Sequence, residues 1–166
     1  MMCLSKALTG GTIPMAITSF TQEIFDGFVS DSVNHAFFHG HTFTANPTGC
    51  AAALASIKLL KDAKTTANIE RINQNHVQFE QHIKKHPKVL NTRSLGVIFA
   101  LDIKVSEKQS YYGNLRNQLY EYFISKGVIL RPVGNTIYIL PPYIITNESL
   151  QQIYLVIEDA LNEISC

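Results

Sequence analysis

The stretch FHGHTFTANPTGCAAA, residues 38–53, passes from a loop rich in glycine and aromatic residues into a helix. Asn46 is a favourable N-cap, and Pro47 takes the first helical position, where its missing N–H leaves no intrahelical bond unmade. Three consecutive alanines follow, and Leu54, Ile57 and Leu60 continue the helix. Its small residues permit close packing on a sheet, so the segment predicts an α/β layer.

The same patterns predict the elements around this helix. Alternating apolar residues over Thr12–Ser19 predict a strand, Thr21–Phe28 a short helix, and residues 30–44 an ordered loop. Apolar residues three and four positions apart predict a further helix, which ends near Lys85 because Pro87 disfavours helical geometry just before it. The residues on its apolar face are Ile69, Ile72, His76, Phe79 and Ile83.

Beyond Pro87 the pattern changes to that of a compact α+β unit. Strands are predicted over Gly96–Ile103, Val128–Arg131 and Thr136–Leu140, the last two joined by a turn at residues 133–135. One helix, with Leu115, Leu119, Tyr122 and Phe123, should close at Gly127. A C-terminal helix, capped by Thr146 or Asn147, presents Leu150, Ile153, Tyr154, Ile157, Leu161 and Ile164. We therefore expect residues 1–60 to end a large α/β layer, 61–86 to form a linking helix and 87–166 a small α+β domain.

Composition excludes several classes of function. The chain has 166 residues, 16% of them charged, with a formal net charge of +1, and no basic stripe that would indicate a nucleic-acid partner. No apolar run approaches the length of a membrane span, and no secretory signal opens the chain. Cys3, Cys50 and Cys166 are widely spaced without metal-ligand spacing, so we expect no metal site, no disulfide framework, and a cytoplasmic protein with reduced thiols.

A second segment that carries chemistry is CLSKALTGG, residues 3–11. Lys6 ends a short apolar stretch, where its amine could be partly desolvated and act as a nucleophile. Gly10 and Gly11 would let the backbone turn tightly and approach a planar cofactor. The alternative is a solvated lysine near a terminus. A third segment, LRPVGNTIYILPPY at residues 130–143, places an arginine before a proline and a tyrosine on a strand.

In this order and spacing, the three segments resemble the class-III aminotransferases, fold-type I enzymes that use pyridoxal 5'-phosphate. The resemblance runs from Cys3 to about Ser165 and implies α/β moving into α+β: the C-terminal part of the large domain plus the small C-terminal domain. It also implies a homodimer. Within the class it is strongest to the enzymes of biotin synthesis that convert 8-amino-7-oxononanoate to 7,8-diaminononanoate with S-adenosylmethionine as amino donor. Alternatives are a class-III enzyme acting on another ω-amino acid, or a non-catalytic remnant or interaction module.

The resemblance also implies roles for five residues. Lys6 would be the Schiff-base lysine and the general acid–base of the reaction. Thr42 would donate its hydroxyl and backbone N–H to the cofactor phosphate of the neighbouring subunit, with Gly40 giving the backbone freedom for that approach. Arg131 would hold the substrate carboxylate, and Tyr138 would line the substrate pocket. The alternatives are a loop threonine, a surface arginine and a core tyrosine.

The chain departs from the family in what precedes Lys6. The family needs a Gly-Ser/Thr phosphate loop, an aspartate on the pyridine nitrogen and an aromatic residue stacked on the ring, and all three should lie N-terminal to this lysine. Only five residues do. We therefore expect a fragment of the enzyme that is poorly soluble and inactive alone, with a possible complementary N-terminal half as partner.

Overall fold

The computed structural model describes residues 1–105 and 114–163. Ile164 and Cys166, which the sequence analysis assigned to the last helix and to the free thiols, lie outside the described residues. The chain divides into two compact units, Met1–Asp62 and Ala63–Cys166. Within the described ranges, no helix is both long and apolar enough to cross a membrane.

The first unit holds a two-stranded sheet and two α-helices. Strand β1 pairs antiparallel with β2, Met2 lying opposite Ser19. Pro14 has no N–H for a strand ladder, and the strand expected over Thr12–Ser19 is correspondingly reduced to its last three residues. In chain order the elements are β1 Met2–Leu4, a 3-10 helix Lys6–Thr9, β2 Ile17–Ser19, α1 Gln22–Asp26, a 3-10 turn Val33–His35 and α2 Pro47–Leu60.

Helix α2 begins as the sequence predicts. The Asn46 side-chain oxygen accepts a hydrogen bond from the Gly49 N–H at 3.1 Å, and Pro47 opens the helix. A Cβ on Gly49 would lie 3.3 Å from the Met15 sulfur, so a larger residue there would need a rearrangement. Ser56 donates to the Ala7 carbonyl at 3.3 Å, which joins α2 to the 3-10 helix that carries Lys6.

The described residues of the second unit form a three-stranded antiparallel sheet in the order β3-β4-β5, packed with three helices. Side chains alternate along β4: Phe99, Leu101 and Ile103 are buried in the core, and Asp102 lies on the other face. The elements are α3 Ala63–Ile83, β3 Val89–Leu95, β4 Ile98–Ile103, α4 Asn114–Ser125, β5 Thr136–Ile139 and α5 Asn147–Glu163.

Helices α3 and α5 lie side by side and run parallel, as a constant sequence offset shows. Four hydrogen-bonded pairs join residues 76 positions apart: Arg71–Asn147, Asn75–Gln151, His82–Glu158 and His86–Asn162. Beneath them His76 is fully buried, 2.7 Å from the Tyr154 hydroxyl through Nδ1 and 3.0 Å from the Val97 carbonyl through Nε2. Parallel alignment in this register places the polar pairs at the surface and the histidine in the core.

One expectation about this unit was wrong, and one strand was missed. Residues 128–131 form no strand: Val128 and Leu130 are buried while Ile129 and Arg131 are exposed, so burial alternates without a neighbouring strand. Strand β3 was not predicted at all. The predicted helix ends are confirmed. Gly127 has φ +75° after α4, and the Thr146 hydroxyl accepts from the Ser149 N–H at the start of α5.

Candidate active-site residues and family membership

Lys6 begins the 3-10 helix with a left-handed backbone, φ +53°. A side chain in this region costs about 1–2 kcal/mol, and such strain is concentrated at functional sites. The amine makes no hydrogen bond or ion pair with a described residue. The expected desolvation is not found, because Lys6 is exposed and so are its apolar neighbours Met2 and Leu4.

The turn that follows Lys6 is held by its own side chains. Thr9 is buried and donates to the Ile13 carbonyl at 2.6 Å, and Thr12 donates back to the Thr9 carbonyl at 2.8 Å. Gly10 and Gly11 have φ +62° and +80°, conformations that favour glycine. The tight turn predicted at the glycine pair is confirmed, and it fixes the backbone next to the lysine.

Thr42 lies in a turn whose neighbours are paired while it is not. The His41 N–H donates to the Thr44 hydroxyl, and the Phe43 N–H donates to His41 Nδ1. Neither the hydroxyl nor the N–H of Thr42 bonds to any residue the structure describes. His41 thus organises the loop through its backbone N–H and its Nδ1 atom.

Gly40 lines a cavity of about 360 Å³ in the first unit. A Cβ on Gly40 would meet no atom within 4 Å, and its φ is not left-handed, so this chain alone supplies no steric reason for glycine there. Lys6 and Thr42 are not among the residues that line the cavity, which are Pro14, Met15, Ala16, Thr18, His39, Gly40, His41, Phe43, Thr44, Ala45 and Asn46.

Arg131 and Tyr138 belong to the second unit. Arg131 is exposed between the buried Leu130 and Pro132, and its guanidinium makes no ion pair with the described residues. Tyr138 is half-buried on the face of β5 turned away from the core, opposite Ala100 of β4. The alternative interpretation of Tyr138 as a core residue is therefore wrong, since Ile137 and Ile139 occupy the core side.

Sequence reasoning missed a polar cluster on this same face of the sheet. Asp102 accepts hydrogen bonds from Arg93 Nη1 and from the Thr136 hydroxyl, both at 2.7 Å. The hydrogen bond from Arg93, chiefly, lowers the pKa of the Asp102 carboxyl. The three residues lie on three different strands, and only Asp102, between the apolar residues Leu101 and Ile103, carried a signal in the sequence.

Comparison with known proteins places these residues in a family. The model of the family described as aminotransferase class-III matches residues 1–161. The chain belongs to the class-III aminotransferases. It is 43% identical over 99% of its length to the adenosylmethionine-8-amino-7-oxononanoate aminotransferase of Synechococcus elongatus, and covers 38% of that protein.

Solved aminotransferase structures support the same fold. The chain superposes with a TM-score of 0.86 on adenosylmethionine-8-amino-7-oxononanoate aminotransferase from Methanocaldococcus jannaschii, at 28% identity, covering 99% of this chain and 39% of that one. It superposes with a TM-score of 0.83 on an amine transaminase from an uncultivated Pseudomonas species in its PLP-bound form, at 27% identity, covering 98% and 38%. The α/β to α+β fold of the C-terminal part of a fold-type I enzyme is confirmed, and the chain spans less than two-fifths of these relatives.

Pyridoxal 5'-phosphate is the cofactor of class-III aminotransferases, and the residues described here fit parts of it. Its phosphate offers acceptor oxygens, and Thr42 presents two unpaired donors, a hydroxyl and an N–H. Its aldehyde reacts with an amine, and Lys6 presents one without a partner on a strained, well-fixed backbone. These groups match the chemistry of the cofactor's aldehyde and of its phosphate.

Proposed function

We propose that this chain supplies the C-terminal part of an enzyme that converts 8-amino-7-oxononanoate to 7,8-diaminononanoate, with pyridoxal 5'-phosphate as cofactor and S-adenosylmethionine as amino donor, in biotin synthesis. The observation that carries the proposal is the 43% identity to the Synechococcus enzyme along 99% of the chain. The unpaired polar groups of Lys6, Thr42 and Arg131 support it.

Each of these residues would do one task. The Lys6 amine would hold the cofactor covalently and then, once released, would move a proton between the substrate carbon and the cofactor. The cofactor, when bound, supplies an electron sink that stabilises negative charge at that carbon. Thr42 would donate to the phosphate held by a second copy in a homodimer, and Arg131 would bind the acceptor carboxylate through two parallel N–H donors beside Tyr138.

We also propose how the chain maps onto the family's domains. Residues 1–60 would correspond to the end of the large, cofactor-binding domain and residues 87–166 to the small domain, with 61–86 linking them. Helix α3, which spans most of the link, buries Ile72, Phe79 and Ile83 in the core of the second unit. The link would therefore pack as part of the small domain.

Complementation tests this function directly. The chain is mixed with the N-terminal part of the Synechococcus enzyme, the part that its match leaves out, and supplied with cofactor and both substrates. We expect amino transfer and a visible absorbance band of lysine-bound cofactor, both abolished by Lys6→Ala. Lys58→Ala, which removes an exposed lysine of α2, is the matched control and should change neither.

Three outcomes would contradict the proposal. Activity that survives Lys6→Ala would remove the role of the lysine, and full transamination by the 166 residues alone would show that no second part is needed. A mixture that binds cofactor but rejects 8-amino-7-oxononanoate and accepts simple ω-amines would favour a second candidate, an amine transaminase, which the likeness to the Pseudomonas enzyme supports.

A further inference from the structure

The turn that follows Arg131 is fastened to the central strand of the sheet. Val133 and Thr136 exchange two backbone hydrogen bonds of 2.9 Å across Gly134, whose φ is +61°. Asn135 donates its side-chain amide to the Ile103 carbonyl at 2.7 Å and accepts from the Ile103 N–H at 2.9 Å. The turn therefore cannot shift without breaking bonds to β4.

Asp102 adds a second side-chain hydrogen bond between this turn and β4. Its Oδ1 accepts from the Thr136 hydroxyl at 2.7 Å, while its Oδ2 is bound to Arg93 on β3 at 2.7 Å. The Asp102 side chain is only 19% exposed, and a hydrogen bond to a charged acceptor in such a place is stronger than one between neutral groups. Asp102 thus ties the first residue of β5 to both other strands.

Arg131 stands two residues before this turn and has little backbone freedom of its own. Pro132 disfavours the helical region for the residue before it, and both Leu130 and Pro132 are buried. The exposed guanidinium therefore projects from a backbone held by two buried neighbours and by the fastened turn. A flexible arginine on a fixed backbone loses less entropy when it binds a carboxylate.

We propose that Asp102, acting through Thr136, is a positioning residue that sets the backbone from which Arg131 binds the substrate carboxylate. The inference rests on the carboxylate role proposed for Arg131. It predicts that the Thr136 hydroxyl matters for acceptor binding although it touches no substrate.

The test uses substitutions that separate the hydroxyl from fold stability, in the complemented mixture described above. Thr136→Val keeps the shape and removes the hydroxyl; we expect KM for 8-amino-7-oxononanoate to rise about three- to tenfold, with kcat within about twofold. Thr136→Ser keeps the hydroxyl and loses a methyl group, so it should be less stable to urea and yet retain the wild-type KM. Arg93→Met breaks the other bond of Asp102 and should also leave KM unchanged.

Hydrogen exchange followed by mass spectrometry gives a readout that does not depend on activity. In the full chain, with or without its complement, the peptide that contains Val133 and Thr136 should exchange faster in Thr136→Val and at the wild-type rate in Arg93→Met. Unchanged exchange in Thr136→Val would overturn the inference by itself.

The kinetic outcomes separate this inference from the function it rests on. Arg131→Ala is the reference: if it leaves KM unchanged, the carboxylate role of Arg131 is wrong, and the positioning inference is wrong with it. If Arg131→Ala raises KM but Thr136→Val does not, only the positioning inference is wrong. Equal increases of KM in Thr136→Val and Arg93→Met would show a general loss of stability and would also overturn the positioning inference.

Discussion

The buried pair of His76 and Tyr154 makes a quantitative prediction about the second unit. Tyr154→Phe removes one hydroxyl, which lies 2.7 Å from His76 Nδ1, and keeps the ring that stacks on Phe79 at 4.1 Å. Because both residues are buried, Nδ1 then loses its partner with no water to replace it. Leaving a buried group unpaired costs about 1–3 kcal/mol.

Urea unfolding measures this cost as a change in the free energy of unfolding. Urea is chosen because it also limits association of the chain. With a denaturant slope of about 2 kcal/mol per M and a loss of about 2 kcal/mol, the unfolding midpoint should fall by about 1 M. The matched control is Tyr120→Phe, whose hydroxyl has no hydrogen bond to a described residue; its midpoint should change by less than about 0.25 M. Equal midpoints for the two variants would refute the reasoning.

Three further predictions concern pH, capping and association. Burial lowers the pKa of His76, so on acidification the unfolded chain takes up the proton before the folded chain does. The free energy of unfolding should therefore keep its full value above about pH 6.5 and fall as the pH drops below it. A urea midpoint that does not differ between pH 7.5 and 5.5 would contradict this. Asn46→Ala removes the cap of α2 and should cost about 1 kcal/mol, seen as an earlier loss of helical circular dichroism, whereas wild-type unfolding would show that the cap does not stabilise the helix. The first unit exposes many large apolar side chains, among them Phe37, Phe38 and Phe43, so light scattering should find large species for the chain alone; a monodisperse monomer that melts cooperatively would argue against it.

Local signals in the sequence predicted the helices well. A cap such as Asn46, a helical apolar period and a closing residue such as Gly127 act within a few positions, so they can be read without the fold. Strand β3 escaped because both of its faces carry polar residues: Thr92 and Ser94 face the core, and Arg93 faces away from it. Its alternation therefore has no hydrophobic contrast.

The strand expected at residues 128–131 shows the opposite error. There the burial does alternate, with Val128 and Leu130 inside, yet this stretch pairs with no strand among the described residues. Apolar residues at every second position show which side chains are buried. Whether the segment forms a strand depends on a neighbouring strand with which its backbone can hydrogen-bond. The bonds of Asp102 to Arg93 and Thr136 are of this second kind, since they join residues 9 and 34 positions apart.

At the candidate site, too, some features depend on nearby residues and others on distant ones. The backbone at Lys6 is set by its own neighbourhood, by Thr9, the glycine pair and α2. The role predicted for Lys6 depended on the resemblance that all three segments carry together. The surroundings of its amine are not set by nearby residues in this way. Lys6, Thr42 and Arg131 all present polar groups that make no hydrogen bond with a described residue. Orientation and electrostatic stabilisation supply much of catalysis. In the role we propose, Lys6 would therefore lack, in this chain alone, the environment that makes its reaction fast. The remaining length of the class-III relatives is the source we propose for that environment.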